Sequence, residues 1–114
     1  MIKKLFLPLF ILILLLGIFL RFYQLGAVPA SLDWDEVSWG YNAYSIVHTG
    51  KDEYGSQYPM SFRAFGDYKQ PFYVYADTVP VALFGLTPFS TRFPSAFFGS
   101  LSIIFVFLLT YEII

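Results

Sequence analysis

The sequence predicts an all-α integral membrane protein: three transmembrane helices and an external loop carrying an interfacial amphipathic helix. Three observations predict it. Hydrophobic residues fill 57% of the 114 positions and aromatic residues 22%, while only 13% are charged, against about a quarter in a soluble domain. Apolar residues gather into runs that approach the length a bilayer demands. The last stretch, Leu101 to Ile114, is still apolar where the sequence stops and carries no capping glycine, proline or polar tail, as in a helix cut in mid-course. The chain is therefore expected to be part of a larger polytopic fold.

The formal net charge is -1, and the basic residues are scattered, so no surface suited to nucleic acid is expected. The absence of cysteine excludes a disulfide framework and any thiolate metal site, leaving His48 and carboxylates as candidate ligands.

The first span is read over 5–23. Lys3 and Lys4 precede an apolar run from Leu5 to Leu20 that extends through Phe22 and Tyr23, close to the ~20 residues needed to cross. Pro8 sits near its start, where a missing N–H matters least, and Arg21 would snorkel at the far interface. A signal peptide is the competing reading, but the run is long for one and Ala30 lies well beyond it. Both readings place the residues after Tyr23 outside the cytoplasm, and the lysine pair agrees by the positive-inside rule.

The external loop is read over 24–68. From Asp33 the pattern turns helical over about 34–48: Val37, Tyr41, Tyr44 and His48 recur at spacings of three and four, Ile46 and Val47 widen the apolar face, and Gly50 follows as a stop. With Trp34 and Trp39 as well, this helix has the aromatic content of an interfacial element. Lys51 to Asp67 reads as an ordered loop, rich in turn residues yet keeping Tyr54, Tyr58, Phe62 and Phe65. A second, tilted span is read over 69–86, with Asp77 and Pro80 inside it. Arg92 then occupies a short cytoplasmic return loop, and 93–114 makes the third span.

Asp33-Trp34-Asp35-Glu36 is where chemistry is sought. Asp33 can cap the helix while Glu36 reaches back to its N–H, and Asp35 in the first turn favours the positive end of the helix dipole. The same stretch also suits function: Asp35 with Glu36 could accept a proton from a hydroxyl or hold a cation. Lys69 reads as an interfacial anchor or as a compact positive charge offered to a phosphate. His48 reads as a helix-end cation rather than a metal ligand. Asp77, an acid inside an apolar segment, could line a polar cavity or pair with a base.

The order of these parts resembles a known family. A first span, Asp35-Glu36 opening an interfacial helix, Gly66-Asp67-Tyr68-Lys69-Gln70-Pro71, Phe84-Gly85-Leu86 and Arg92-Phe93-Pro94-Ser95-Ala96 together resemble the N-terminal part of polytopic C-type glycosyltransferases. The protein O-mannosyltransferase-like family, which includes bacterial enzymes modifying lipid A and other envelope glycans, is the nearest likeness. The resemblance spans about Leu5 to Tyr111; Gln70 departs from the commoner Lys-Pro-Pro. It implies that 1–114 is the N-terminal part of a multi-pass membrane domain, with the N-terminus cytoplasmic and the catalytic loop extracytoplasmic. It implies a polyprenyl-phosphate sugar as donor and a glycan, lipid or protein as acceptor, with inversion at the anomeric carbon. By position it makes Asp35 catalytic, Glu36 its neighbour in acceptor or ion binding, and Lys69 the donor-phosphate contact. Trp34 and Tyr68 are candidates for the acceptor or donor pocket. No metal site is assigned, although adjacent carboxylates leave a divalent cation open. Two other classes compete: a transporter or channel with Asp77 in a cation path, and a non-catalytic anchor subunit.

Overall fold

The computed structural model describes residues 3–113, with side chains from Phe6 onward. Ile114 and the side chains of Lys3 and Lys4, assigned from sequence to the end of the third span and the inner flank of the first, lie outside the described residues. The elements are α1 (Lys3–Phe22), α2 (Trp34–Thr49), β1 (Phe62–Ala64), β2 (Asp67–Lys69), α3 (Pro71–Phe84) and α4 (Pro88–Ile113). The chain is mostly helical, and a two-stranded hairpin corrects the all-α expectation. Its contacts divide it into two units, Met1–Tyr23 with Ser95–Ile114, and Gln24–Pro94.

In the first unit, α1 packs antiparallel on the C-terminal part of α4. Phe10 stacks on Phe107 with ring centroids 3.9 Å apart. The Ile103 side chain covers Gly17, and the Arg21 side chain lies across Gly99, where a Cβ would meet its Nε at 2.8 Å. Outside this seam the helices present bare apolar surface: Leu12, Leu15 and Leu20 on α1 and Phe105 and Leu109 on α4 are all more than half exposed. Such a surface suits lipid and is unfavourable in water. Among the described residues, α4 is the one helix long and apolar enough to cross a bilayer by length and composition.

The second unit is built on α2 and α3. Ala43, Ile46, Phe62, Val74 and Val81 form its core, with Trp39 and Tyr75 packed against it. The expected apolar face of α2 is corrected here, Ile46 excepted. Ser38, Gly40, Asn42, Ala43 and Ile46 are buried, while Val37, Tyr41, Tyr44 and Val47 remain exposed. The small residues are inward because neighbours come close: a Cβ on Gly40 would collide with the Thr91 hydroxyl of α4. Asn42 is satisfied inside, donating to Ser38 O and Glu53 Oε1 and accepting from Glu53 N. At the other end Gly50 stops the helix as expected, in the left-handed conformation (φ 68°) that glycine adopts without strain.

Within the expected loop, β1 and β2 pair antiparallel, Phe62 with Lys69 and Ala64 with Asp67. Their two-residue turn, Phe65-Gly66, has positive φ at both positions (51° and 83°), the requirement of a type I′ hairpin turn.

Three spans are not supported. α3 has 14 residues, or about 21 Å of rise, against the ~30 Å of a hydrocarbon core. Its apolar residues serve a protein core: Val74, Pro80 and Val81 are buried along with Asp77. Arg92 belongs to α4 rather than to a return loop, and it is ion-paired to Glu36 at 2.9 Å. A membrane therefore cannot separate Arg92 from the acidic stretch, contrary to the topology read from hydropathy.

Candidate functional site

The site is organised by the first turn of α2. Asp33 and Glu36 form the capping box expected from their spacing, with Asp33 N donating to Glu36 Oε2 at 3.0 Å. This directs Glu36 back along the helix and fixes the start of α2.

Glu36 is then fully engaged by Arg92. Arg92 Nε donates to Glu36 Oε1 at 2.9 Å and Nη2 to Oε2 at 3.1 Å, a bidentate fork. The rest of the guanidinium is taken by backbone: Nη1 donates to Leu25 O and Pro29 O at 3.1 and 3.0 Å, and Nη2 to Ser31 O at 3.0 Å. Arg92 is only 6% exposed. Its hydrogen bonds hold the Glu36 carboxyl below its ordinary range, against an opposing effect of burial. Glu36 is occupied by Arg92 and the Asp33 N–H, contacts that tie the irregular approach, residues 24–33, to the start of α2. Sequence reasoning missed Arg92 by placing it in a loop. The available signal was a lone arginine in apolar surroundings, which must find an acid.

Asp35, one residue earlier, is differently placed. Lys69 at the end of β2 brings its Nζ to 3.0 Å from Asp35 Oδ1, with the two side chains 24% and 30% exposed. The contact lacks hydrogen-bond geometry, so Oδ1 has charge compensation yet accepts no hydrogen bond. The pair read from sequence as base and phosphate contact is therefore brought together from elements more than 30 residues apart in the chain, a spacing set by the hairpin register.

No protein-family model, curated protein or solved structure matches this chain.

Of the two aromatic candidates, Trp34 directly precedes Asp35 in the first turn of α2. It is exposed and stacks on Phe65 at the hairpin turn, centroids 5.6 Å apart. Tyr68 is not brought in. Its register partner is Arg63, whereas Lys69 pairs with Phe62, and successive strand residues face opposite sides, so Tyr68 lies on the other face of the hairpin from Lys69, exposed.

At the end of α2 the His48 Nδ1 lies 2.9 Å from Tyr44 O and its ring packs on Tyr44. Among the described residues no group of three or more His, Asp or Glu side chains is placed to hold a metal ion. Asp77 is completely buried, and neither oxygen accepts a hydrogen bond. Burial without a partner pushes its pKa from 3.8 up to about 7, so it is held largely as the neutral acid below neutrality.

Chemically, the arrangement offers one partly exposed carboxylate beside a lysine, on a helix start anchored by a separate ion pair. An anion that draws Lys69 away leaves Asp35 as a free proton acceptor.

Proposed function

We propose that this chain is the N-terminal part of a membrane glycosyltransferase that moves a sugar from a polyprenyl-phosphate donor to an acceptor hydroxyl. The observation that supports this reading best is the Asp35–Lys69 contact at 3.0 Å, which pairs a base with a phosphate ligand. In the proposed reaction the donor phosphate engages Lys69 and releases Asp35. Asp35 takes the proton of the acceptor hydroxyl as its oxygen bonds to the anomeric carbon. The bond from that carbon to the phosphate oxygen breaks, and the electron pair leaves on polyprenyl phosphate. Attack opposite the leaving group inverts the centre. The phosphate is a stable anion and needs no acid, so the demand on the protein is one base and one cation.

Membrane placement is part of the same proposal. α1 has 20 residues and reaches about 30 Å. It joins α4 as a two-helix membrane hairpin, with residues 24–94 on the extracytoplasmic side and the N-terminus cytoplasmic. The exposed aromatic face of α2, Tyr41 and Tyr44 with Trp34, suits the membrane interface where the donor's phosphate resides. The acceptor is a glycan, lipid or protein hydroxyl, and no nucleic acid takes part.

The test is transfer by the full-length enzyme in lipid, using a radiolabelled polyprenyl-phosphate sugar. Asp35→Asn should lose at least about 100-fold in kcat with unchanged thermal unfolding, and Lys69→Ala should raise KM for the donor as well. Wild-type turnover by a folded Asp35→Asn protein rules the mechanism out. Loss confined to Asp77→Asn would favour a cation path, and indifference to all three an anchor subunit.

A further inference from the structure

A cavity of about 220 Å³ is lined by Val37, Tyr41, Glu53, Tyr54, Ala64 and Phe65. It sits between the outward face of α2, the turn after α2 and the tip of the hairpin. Phe65 belongs both to its lining and to the stack with Trp34, the residue that immediately precedes Asp35. We propose that this cavity is a binding subsite for a single neutral pyranose ring, the acceptor sugar, and this rests on the transferase reading.

Size, shape and charge each point to that ligand. The volume lies below that of pockets that hold drug-sized molecules and suits one hexose ring. Three aromatic side chains, Tyr41, Tyr54 and Phe65, border it. Aromatic faces carry negative potential and attract the weakly positive C–H groups of a sugar ring. One carboxylate supplies direction. Glu53 Oε1 accepts from Asn42 Nδ2 at 3.1 Å, and its backbone N–H donates to Asn42 Oδ1 at 3.1 Å. The side chain is thus held by a buried amide, and its second oxygen is left to accept from hydroxyls. Three aromatics and a carboxylate also make a cage for an ammonium ion, but Arg63, outside the lining, already lies over the Tyr54 ring, 5.2 Å from its centroid. The Arg63 charge against that ring offsets the Glu53 charge from behind the lining, which favours a polyhydroxylated ring over a second cation.

The experiment is saturation-transfer NMR on the full-length protein in lipid nanodiscs, with methyl α-mannopyranoside as probe and tetramethylammonium and glycerol as controls. The expected result is transfer to the pyranoside ring protons alone. Tyr41→Ala should weaken it by about tenfold or more, Tyr41→Phe should retain it, and Glu53→Gln, which keeps a carbonyl for Asn42, should weaken it similarly. Tyr41 is half exposed, so its replacements should leave the fold intact. Equal binding by wild type, Tyr41→Ala and Glu53→Gln overturns the proposal, as does binding of tetramethylammonium in place of the sugar, or no transfer to the pyranoside. Asp35→Asn separates the two readings. Sugar bound normally without turnover upholds both. Sugar bound normally with full turnover leaves the subsite standing and removes the assigned base.

Discussion

Replacing Arg92 by alanine should loosen the approach to α2 more than any other single change in the second unit. The side chain makes five hydrogen bonds, two to Glu36 and three to the carbonyls of Leu25, Pro29 and Ser31. Breaking a buried ion pair from one side costs about 3–5 kcal/mol. The carbonyls lie in an exposed stretch, Leu25 itself excepted, where water replaces the lost donors, and the Glu36 side chain is 24% exposed. Both facts place the expected loss at the lower end, about 3 kcal/mol, or on the order of 10 °C in Tm.

Arg92→Lys keeps a charge but loses the fork and most backbone contacts, so it should recover less than half of that loss. The assay is thermal unfolding of the full-length protein in detergent, with hydrogen exchange as the local readout. Peptides covering residues 24–36 should exchange faster in Arg92→Ala, while those covering α3 should change little. Arg92→Ala with Glu36→Gln should be less destabilising than the sum of the two by about 1 kcal/mol or more. A melting temperature within about 1 °C of wild type, or strict additivity, would refute the anchoring role.

The same geometry makes three further predictions. The raised pKa of Asp77 means that the folded state binds its proton more tightly than the unfolded chain, so its contribution is fully present below about pH 4 and is lost as pH rises through about 7. Asp77→Asn should flatten that slope and stabilise the protein at pH 8, by at most about 4 kcal/mol, as read from Tm against pH. Asp35→Asn should change stability by less than about 1 kcal/mol, because its ion pair with Lys69 is partly exposed; a large drop in Tm would make the carboxylate structural. Gly40→Val should destabilise by about 1–3 kcal/mol by driving α2 off Thr91, and a neutral result in thermal unfolding would show that the close approach is not required.

The cap and start of α2 were legible in the sequence because they rest on short-range chemistry, whereas Asp35 and Lys69, 34 positions apart, were linked only by the family resemblance. Asp33 and Glu36 stand at capping-box spacing, and Gly50 stands where a left-handed residue is needed. What misled was hydropathy without partners. Val74 and Val81 fell within the expected second span, yet they pack with Ala43, Ile46 and Phe62 in a protein core. The aromatic periodicity of α2 marked its exposed side, since an apolar stripe indicates where water is excluded and does not distinguish a core from an interface. The hairpin was missed because its strands have three residues each, too few for alternation to register, and its turn places Phe65 at positive φ where asparagine or glycine is usual.

The three acidic side chains at the start of α2 are sorted by what each is bonded to, and that sorting decides which of them can do chemistry. Asp33 is committed to the helix cap, and Glu36 is committed twice, to the Asp33 N–H and to a guanidinium that also clasps three carbonyls. Neither can release its partners without undoing the entry to the helix. Asp35 has one partner, an ammonium on a flexible stem at the end of a two-stranded ribbon, and such a contact exchanges at small cost. An arginine in place of Lys69 would hold the carboxylate in a fork and resist exchange. Lys69→Arg should therefore preserve charge and fold yet slow any reaction that needs Asp35 free. Loss of turnover with Tm unchanged would mark the lysine's mobility as the functional property, and full activity would show that charge alone suffices.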